Sequence, residues 1–555
     1  MSTGAISQLV SRGHINKFLN DNPQISFWRF QSMRHTTFAL ESQQVFFQGT
    51  GIVGGTNTVR LSRSGDLVYH VYGVIDLPGI ANVTTTTTTK GSTADSASPF
   101  YAEAVESGLE TNYRAMAGGK AKCFPESGSS ANPYAIRTVN GVQDSHYDDQ
   151  AVPYYTQAVG QFLVQKATVM IGSQPIDTLY SDYLFMLEEL QAKPGKELKD
   201  MIGKQDTVPE LKLKSKMFQR LYVPLPWFFT TSSGNALPLV SLQFHDVRIE
   251  ITWNSIADAI CNSSGLTGKG TITIHEDPDA SPLVSHVLRT VVRPLEDSMN
   301  SRKYGALSVW GDGTNDSNST LPSAIQNSDV KCQLEVCYVF LGKQERQRFA
   351  EGSFEMLINE VQRISPLTGQ QSTSIEASLD FNHAVFNLMW AVRQAYHEQL
   401  NNWFSYGGLV EPLTSMTLDP VQTVMIKLNN QERVTQTEGR YYRLVVPHAH
   451  AARIPSQFVY SYSFGLNPGD QQPSGSCNFS RIDNSKLNLT VDQYLFRSNL
   501  AQNGLNLGST DAVDNAAATR SPLVSGGNSI SLLVFAQSYN VLRITLGLAG
   551  KAFAN

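Results

Sequence analysis

Alternation of apolar and polar residues with a period of two is the feature that most constrains this chain. It recurs in GDLVYHVYGVIDLP, SLQFHDVRIEITW and SQFVYSYSFGL, which are rich in β-branched and aromatic residues and are flanked by Gly, Pro, Asn or Ser. Successive side chains of a strand point to opposite faces of a sheet, so this pattern predicts half-buried β-strands. The sequence therefore predicts an all-β fold.

Helices and long loops are predicted between these strands. Helical spacing of apolar residues is clearest at 182–193 and at 343–361. The first of these helices is expected to pack one face over a sheet edge. Polar stretches without periodicity predict long surface loops at 78–150 and 255–328, and a further polar segment spans 501–529. The prediction is an all-β fold with long inserted loops and a few short helices.

A faint internal repeat indicates two similar units. ATVMIGSQ at 167–174 recurs as QTVMIKLN at 422–429, and each copy is followed by a predicted strand ending in proline, LYVP at 221–224 and LVVP at 444–447. The same order in both halves predicts a duplicated β-sandwich, with the charged segment at 342–353 as the seam. Jelly rolls are the sandwiches in which long connections leave at one end.

Composition limits the classes of function. The 555 residues are 41% hydrophobic, which allows several core-forming units, and a net charge of −5 predicts no direct contact with nucleic acid. The N-terminal sequence lacks the apolar stretch of a signal peptide, and no stretch reaches the roughly 18 apolar residues of a membrane span, so we expect a cytosolic product. The five scattered cysteines predict free thiols.

Local motifs do not predict a catalytic centre. GTGIVGG at 49–55 matches a dinucleotide-binding glycine pattern, but a strand-like segment follows it, which favours a hairpin turn. His448 and His450 would share one face of an extended segment without a third metal ligand. Glu188 and Glu189 are adjacent on a predicted helix and diverge, unlike a glycosidase pair. We predict no enzymatic activity, no cofactor and no metal.

Two groups of polar residues are predicted to be solvent-facing. The alternating lysines of ELKLKSK predict one face of a strand, either solvated or protecting an edge from aggregation: Lys212, Lys214 and Lys216. Six sequons of the type N-x-[ST] are candidate glycosylation sites, expected to be loop residues: Asn82, Asn262, Asn315, Asn318, Asn478 and Asn488.

Five stretches, in this order, carry a family resemblance. They are NPQISFWRFQSMRHTTFALE at 22–41, VPLPWFFTTSSGNALPLVSLQFHDVRI at 223–249, CYVFLGKQERQRFAEGSFEMLINEVQ at 337–362, QPSGSCNFSRID at 472–483 and YNVLRITLGLAGKAF at 539–553. Together they span almost the whole chain. They resemble the major capsid proteins of nucleocytoplasmic large DNA viruses.

The resemblance implies two tandem eight-stranded jelly-roll β-sandwiches. The expected units are an N-terminal arm at 1–25, a first roll at 26–343, a linker at 344–352 and a second roll at 353–555. The resemblance further implies a homotrimer whose six rolls form a pseudo-hexagonal capsomer of an icosahedral shell. The implied partners are neighbouring capsomers, minor capsid, cement and penton proteins, with indirect contact to an internal membrane layer, in a virion assembled in the host cytoplasm.

The resemblance also gives the unusual N-terminal stretch an assembly role. An arm leaving the inner side of the first roll would enter it in an extended form at the proline, dock through its aromatic residues and be hydrogen-bonded at its exit. The candidates for arm docking and assembly are Pro23, Phe27, Trp28, Phe30, Arg34 and His35. The alternative is that Phe27 and Phe30 belong to the first core strand.

Two other functions remain open at this point. A minor capsid or penton paralogue would have the same fold. A carbohydrate-binding or carbohydrate-cleaving β-sandwich would need an aromatic platform or two converging carboxylates in a cleft, and the sequence nominates no such pair.

Overall fold

The structure is a computed structural model, and it describes most of the two predicted rolls. Residues 6, 7, 10, 11 and 22 are described near the N-terminus. The longer described ranges are 34–49, 51–90, 154–193, 195–261, 271–274, 284–295, 326–399, 401–409, 417–496 and 529–553.

The first roll contains eight antiparallel strands in two facing sheets. In chain order they are β1 (Phe38–Val45), β2 (Thr56–Arg60), β3 (Leu67–Leu77), β4 (Val164–Ile171), β5 (Gln174–Tyr180), β6 (Gln219–Pro224), β7 (Val247–Trp253) and β8 (Lys331–Leu341). One sheet has the order β1-β8-β3-β6 and the other the order β2-β7-β4-β5. A short strand, Leu237–Pro238, also pairs with β3.

The second roll repeats this arrangement. Its strands are β9 (Phe354–Arg363), β10 (Ser374–Ser378), β11 (Ala384–Gln394), β12 (Val421–Leu428), β13 (Gln431–Glu438), β14 (Val459–Ser463), β15 (Ser485–Val491) and β16 (Ile530–Thr545). The sheet orders are β9-β16-β11-β14 and β10-β15-β12-β13, with short strands Leu367–Gln370, Cys477–Asn478 and Leu548–Lys551 at the margins. Both rolls thus have the eight-stranded jelly-roll order, which confirms the predicted fold class.

Short helices occupy the connections. They are α1 (Val159–Leu163), α2 (Ser181–Gln191), α3 (Lys199–Ile202), α4 (Val208–Ser215), α5 (Lys343–Glu351), α6 (Ala395–Gln399) and α7 (Val446–His450). A π-helical turn, Tyr441–Val445, precedes α7, and single 3₁₀ turns lie at Ser233–Asn235, Leu239–Ser241, Ile256–Ala259, Asn327–Asp329, Phe479–Arg481 and Gln493–Phe496. In the described part of the chain, every helix is too short or too polar to cross a membrane.

The repeat prediction was right for one pair of segments and wrong for the other. The recurring TVMI sequence lies in β4 and β12, the fourth strand of each roll. LYVP lies in β6, as predicted, but LVVP is helical, because the sixth strand of the second roll begins only at Val459. Pro447 falls in the first turn of α7, directly after the π-helical turn Tyr441–Val445.

Two further local predictions were wrong. The helix predicted over 343–361 ends at Glu351, and Gly352 separates it from β9. Lys212 and Lys214 lie in α4 rather than in a strand. Thr207 caps α4 by accepting from Glu210 N–H over 3.4 Å. This helix-start signal, and not the alternation of the lysines, determined the local structure.

Parts of the predicted long loops are strands. Gly79–Lys90 pairs along its whole length with Val284–Leu295, which also pairs with Thr271–Ile274. Two-residue strands pair Tyr154–Tyr155 with Ile260–Cys261. The threonine run has no apolar alternation, although β-branched residues favour strands; the prediction therefore missed these elements.

The glycines of the 49–55 motif form a turn, as predicted. Gly51 and Gly54 have φ angles of 60° and 81°, and β2 follows directly. A side chain at Gly51 would meet the Cys332 carbonyl oxygen at 2.9 Å. This turn needs glycine for its backbone conformation and for close packing on β8.

The two ends of the rolls differ. At the loop end, β3 and β7 end and β4 and β8 begin, so both connections that contain the predicted long loops start and finish there. At the base end, β1 and β9 begin, β8 and β16 end, and the two-residue turns 172–173 and 429–430 lie. Long connections therefore leave at one end, as expected for jelly rolls.

Trp390 is central to the packing of the second roll. It is 0% exposed, and its ring stacks on Tyr460 with centroids 6.1 Å apart and lies 5.6 Å from Tyr442. We expect Trp390→Ala to lower the free energy of unfolding by about 3–5 kcal/mol because it leaves a cavity. Urea denaturation measures this change. Phe46→Ala, at a side chain that is 69% exposed, is the control, expected to change it by less than about 0.5 kcal/mol.

Candidate functional site

The interface between the two rolls is the site that the fold builds most elaborately. The helix α2 lies in it, between β5 of the first roll and segments of the second. Tyr183, Leu184, Phe185, Met186 and Leu190 of this helix are all buried. The helix was predicted at this place, but it is buried more widely than the single face expected for a helix over a sheet edge.

An ion pair holds the first turn of α2. The Asp182 carboxylate contacts the Arg393 guanidinium of β11, and Tyr406 O–H donates to Asp182 Oδ1 over 3.0 Å. Arg393 is 5% exposed, and its guanidinium carbon lies 5.6 Å from the ring centroids of Trp403 and Tyr406. Burial and the Asp182 charge raise the pKa of Tyr406 well above its ordinary value, so its hydroxyl remains a donor.

A second polar cluster holds the last turn of α2. Glu189 is fully buried and contacts Lys204 of the first roll. Ser456 of the second roll donates to Glu189 Oε2 from its N–H over 2.8 Å and from its hydroxyl over 2.7 Å, and Arg453 lies 3.4 Å away. Burial would raise the pKa of Glu189, but Lys204, Ser456 and Arg453 outweigh it and lower that pKa. The charged carboxylate therefore ties both rolls together.

Towards the loop end, hydrogen bonds join the 257–261 segment to the second roll. The Asn401 side-chain amide donates to the Ile260 carbonyl over 2.9 Å, and Cys261 Sγ donates to the Asn401 carbonyl over 3.0 Å. The indole N–H of Trp403 donates to the Asp258 carbonyl over 2.8 Å. Backbone carbonyls that a sandwich would leave unpaired at its margin are satisfied here by the other roll.

Aromatic pairs fill the space between these polar groups. Phe185 stacks on Phe404 with centroids 4.4 Å apart and planes within 3°, and Phe162 stacks on Trp403 at 5.3 Å. Such pairs stabilise by about 0.5–1.5 kcal/mol each beyond their burial. The interface thus resembles a continuous core with embedded charges rather than a loose contact between domains.

At the side of the interface, β5 of the first roll lies along β9 of the second. Val361 N–H donates to Asp177 Oδ1 over 3.2 Å, and the Arg363 guanidinium lies 4.3 Å from the Tyr180 ring centroid. Asp177 is 4% exposed. Burial raises the pKa of Asp177 to about 7, against the lowering effect of the Val361 hydrogen bond, and the Glu360 charge adds to the increase.

The arm candidates fall mostly outside the described residues. Pro23, Phe27, Trp28 and Phe30 are not described. Arg34 and His35 are, and both are exposed just before β1. His35 Nδ1 lies 2.8 Å from the Thr36 carbonyl oxygen, and its ring meets Phe38 edge-on at 6.4 Å. Their predicted role at the arm's exit stays a prediction.

Three of the six sequons lie outside the described residues: Asn262, Asn315 and Asn318. Asn82 lies in the strand Gly79–Lys90, Asn488 lies half-buried in β15, and Asn478 lies in the two-residue strand Cys477–Asn478, so the prediction of loop positions was wrong for all three described sequons. Asn478 is exposed and its side chain accepts from Ser480 N–H over 3.1 Å. Glycosylation at these positions stays a prediction.

The motifs considered for catalysis do not converge. His448 and His450 lie on the short helix α7, and within the described ranges no group of three or more His, Cys, Asp or Glu could hold a metal ion. Glu188 Oε1 accepts from Leu198 N–H, whereas Glu189 points into the roll interface. Of the five cysteines, Cys261, Cys332, Cys337 and Cys477 are described, and all four are free thiols.

Sequence reasoning missed the residues that form the interface. Asp177, Asp182, Glu189 and Arg393 attracted no functional prediction beyond the rejection of Glu189 as a catalytic acid. The one available signal was an ionisable residue inside an apolar run, as in DYLFMLEEL and NLMWAVRQ. Charged residues that become buried are almost always paired, so such positions predict a partner but do not name it.

Comparison with known protein families identifies the family to which this chain belongs. A family described as large eukaryotic DNA virus major capsid protein matches residues 345–550, and one described as major capsid protein N-terminus matches 26–106 and 135–287. The chain belongs to the large eukaryotic DNA virus major capsid protein family. This confirms the resemblance stated from the sequence.

Individual capsid proteins are similar along their whole length. The major capsid proteins of Paramecium bursaria Chlorella virus 1 and of Pyramimonas orientalis virus are 26% and 25% identical, each with 100% of both chains covered. Among solved structures, the chain is similar to a quasi-atomic model of the PBCV-1 virus capsid, with a TM-score of 0.58, 23% identity and coverage of 96% and 100%. The Faustovirus major capsid protein has a TM-score of 0.56, 11% identity and coverage of 98% and 96%.

The buried carboxylate Glu189 gives a stability prediction for this capsid-family chain. Glu189→Ala leaves Lys204 and Arg453 without their shared partner, so we expect a loss of about 3–5 kcal/mol in the free energy of unfolding. The exposed pair Glu376–Lys486 supplies the control: Glu376→Ala should cost less than about 1 kcal/mol. Equal losses for the two variants, measured by thermal or urea denaturation, would contradict this view of the interface.

Asp177 gives a pH prediction. Its pKa is higher in the folded protein, about 7, than its ordinary value of 3.8. The folded state therefore binds more protons, and the Asp177 contribution to stability falls as pH rises from about 4 to about 7. We expect Asp177→Asn to gain stability relative to the original protein across this window and to show a constant difference above it. Denaturation midpoints at pH 5 and pH 8 measure this; a difference that shrinks with pH would refute it.

Proposed function

We propose that this chain is the major structural protein of a large DNA virus capsid and that three copies form its pseudo-hexagonal capsomer. Family membership supports the structural, non-enzymatic role. The trimer proposal rests on one observation: among the described residues, one edge strand of each roll has no neighbouring strand at the place where its counterpart in the other roll has one.

The contact between the rolls joins the fifth strand of one roll to the first strand of the next. Within the chain, β5 of the first roll lies along β9 of the second, and this contact buries Asp177 and Glu360 and leaves Ile176 and Ile358 with no exposed surface. The corresponding strands of the other pair are β13, the fifth strand of the second roll, and β1, the first strand of the first roll.

Both corresponding strands are exposed. The first five residues of β1 are all exposed, and Phe38 and Leu40 retain 59% and 55% of their surface. Within β13, only Val434 and Thr437 are even half-buried. Exposed apolar residues on an edge strand favour contact with another chain. If β13 of one copy lies along β1 of the next, the same kind of contact recurs around a closed ring of six rolls, which is three chains.

Membership of the capsid family supports the remaining proposals, which concern the units of the chain and its partners. We propose an arm at 1–25, rolls at 26–343 and 353–555, and a linker at 344–352. Pro23 would set an extended entry into the roll, and Phe27, Trp28 and Phe30, just after the arm, would dock it into the base of the first roll. Arg34 and His35 would hydrogen-bond around its exit. Neighbouring capsomers, minor capsid, cement and penton proteins are the proposed partners in the virion, with assembly in the host cytoplasm and only indirect contact with an internal membrane layer.

Light scattering of the purified protein at several concentrations tests the trimer. We expect a concentration-independent mass near 183 kDa, three times the 61.1 kDa of one chain. Leu40→Asp should shift the mass towards one chain because it places a charge in the proposed contact. Leu213→Asp, at a side chain that is 60% exposed in α4, is the matched control and should leave three chains. A stable monomer of the original protein would refute the proposal.

A further inference from the structure

An exposed apolar surface lies at the base end, where the two rolls meet. Phe244, in the connection before β7, is 74% exposed, and Leu546 and Leu548, after β16, are 82% and 47% exposed. Phe244 N–H donates to the Gly547 carbonyl over 3.1 Å, and a side chain at Gly547 would come within 2.7 Å of the Phe244 ring. Phe244, Leu546 and Leu548 are called the base patch below.

The turn that carries Leu546 has an unfavourable backbone conformation. Leu546 and Gly547 have φ angles of 51° and 80° and connect β16 to Leu548–Lys551 as a two-residue hairpin. Two positive φ angles are typical of a type I′ turn, which favours Asn-Gly. A leucine is disfavoured at the first position because its Cβ crowds the following carbonyl oxygen, and here it directs an apolar side chain into solvent. Strain that holds an exposed apolar residue in place points to a binding role.

A cavity of about 400 Å³ opens at the same end of the first roll. Leu61, Leu239 and Leu242 contribute its apolar lining, and Arg60 and Arg63 stand beside them. The lining also includes Asp246 and His245, which adjoin Phe244 of the base patch. The cavity and the base patch are therefore neighbouring parts of one surface.

The two arginines of the cavity are held in place. Arg60 Nη2 lies 2.7 Å from Asp246 Oδ1, and Arg63 donates to the Gln243 carbonyl over 2.8 Å. Guanidinium groups bind the faces of aromatic rings, above all that of tryptophan. An apolar lining beside fixed guanidinium groups suits an aromatic side chain of a peptide segment.

The chain itself contains such a segment. Residues 22–33, NPQISFWRFQSM, hold three aromatics in four positions, Phe27, Trp28 and Phe30. The segment precedes β1, and β1 begins at the base end. Residues 31–37 can span up to roughly 25 Å when extended. The start of β7 lies across the sandwich and one strand over from β1, which is roughly 15 Å at usual sheet and strand spacings.

We propose that the base patch and its cavity bind residues 22–33 of the same chain, with Trp28 in the cavity. This deepens the arm docking of the proposed function by naming the surface on which the arm lies, and it does not depend on the trimer.

Photo-crosslinking in the full-length protein tests this assignment. p-Benzoyl-phenylalanine replaces Leu546, and mass spectrometry identifies the crosslinked peptide. We expect a crosslink to residues 22–33 in a product that migrates as a single chain under denaturing conditions. The same probe at Leu213, which is 60% exposed elsewhere on the first roll, should give no crosslink to 22–33. Crosslinks only to other segments, only between two chains, or none at all would overturn the proposal.

A second variant separates this proposal from the trimer. Trp28→Ala combined with Phe30→Ala in the Leu546 probe protein should lower the yield of the crosslink at least fivefold, and an unchanged yield would overturn the docking of the aromatics. Light scattering on the probe protein reports the trimer independently. A trimer without the crosslink overturns the docking alone, and a monomer with the crosslink overturns the capsomer alone.

Discussion

The burial of charged side chains between the two rolls is the constraint on which the rest of this structure depends. Asp182, Glu189 and Arg393 lie largely out of contact with water, and each has a partner in the opposite roll: Asp182 and Arg393 pair with each other, and Glu189 accepts from Ser456 and lies beside Arg453. An unpaired buried charge costs several kcal/mol, so the two sandwiches cannot slide or rotate against each other without losing these pairs. The relative position of the rolls is thus set by specific ion pairs as well as by apolar packing, and the edges presented to other molecules are set with it.

The fold could be predicted from the sequence more fully than the site. Alternation predicts strands because the polarity of each residue indicates which face of the sheet its side chain lies on. TVMI recurs in β4 and β12 because the two rolls need the same strand there. The threonine strand after Gly79 was missed because its pairing partner, not its own pattern, makes it a strand. Whether LVVP formed a strand or a helix likewise depended on where the next strand began.

The interface could not be predicted because its pairs are far apart in the sequence. Asp182 and Arg393 are 211 residues apart in the sequence, and neither belongs to a motif with fixed spacing. Helix α2 was predicted from its apolar spacing, but the depth of its burial follows from the second roll, which no local pattern encodes. The identity of the family came from several stretches in a fixed order, which is a different kind of information from the chemistry of any one residue.

The connection between the rolls has a kinetic consequence. Helix α5 follows β8 directly and is fastened to the first roll, since Arg346 makes two contacts of 2.9 Å with Asp66 and Ser241 donates to the Phe349 carbonyl over 2.6 Å. β9 therefore emerges from an anchored point only a few residues from its destination. A short connection gives the two rolls that it joins an effective concentration in the millimolar range relative to each other, far above the concentration of separate chains in a cell. The intramolecular contact between rolls should therefore form before any equivalent contact between chains, which prevents two nascent chains from exchanging rolls.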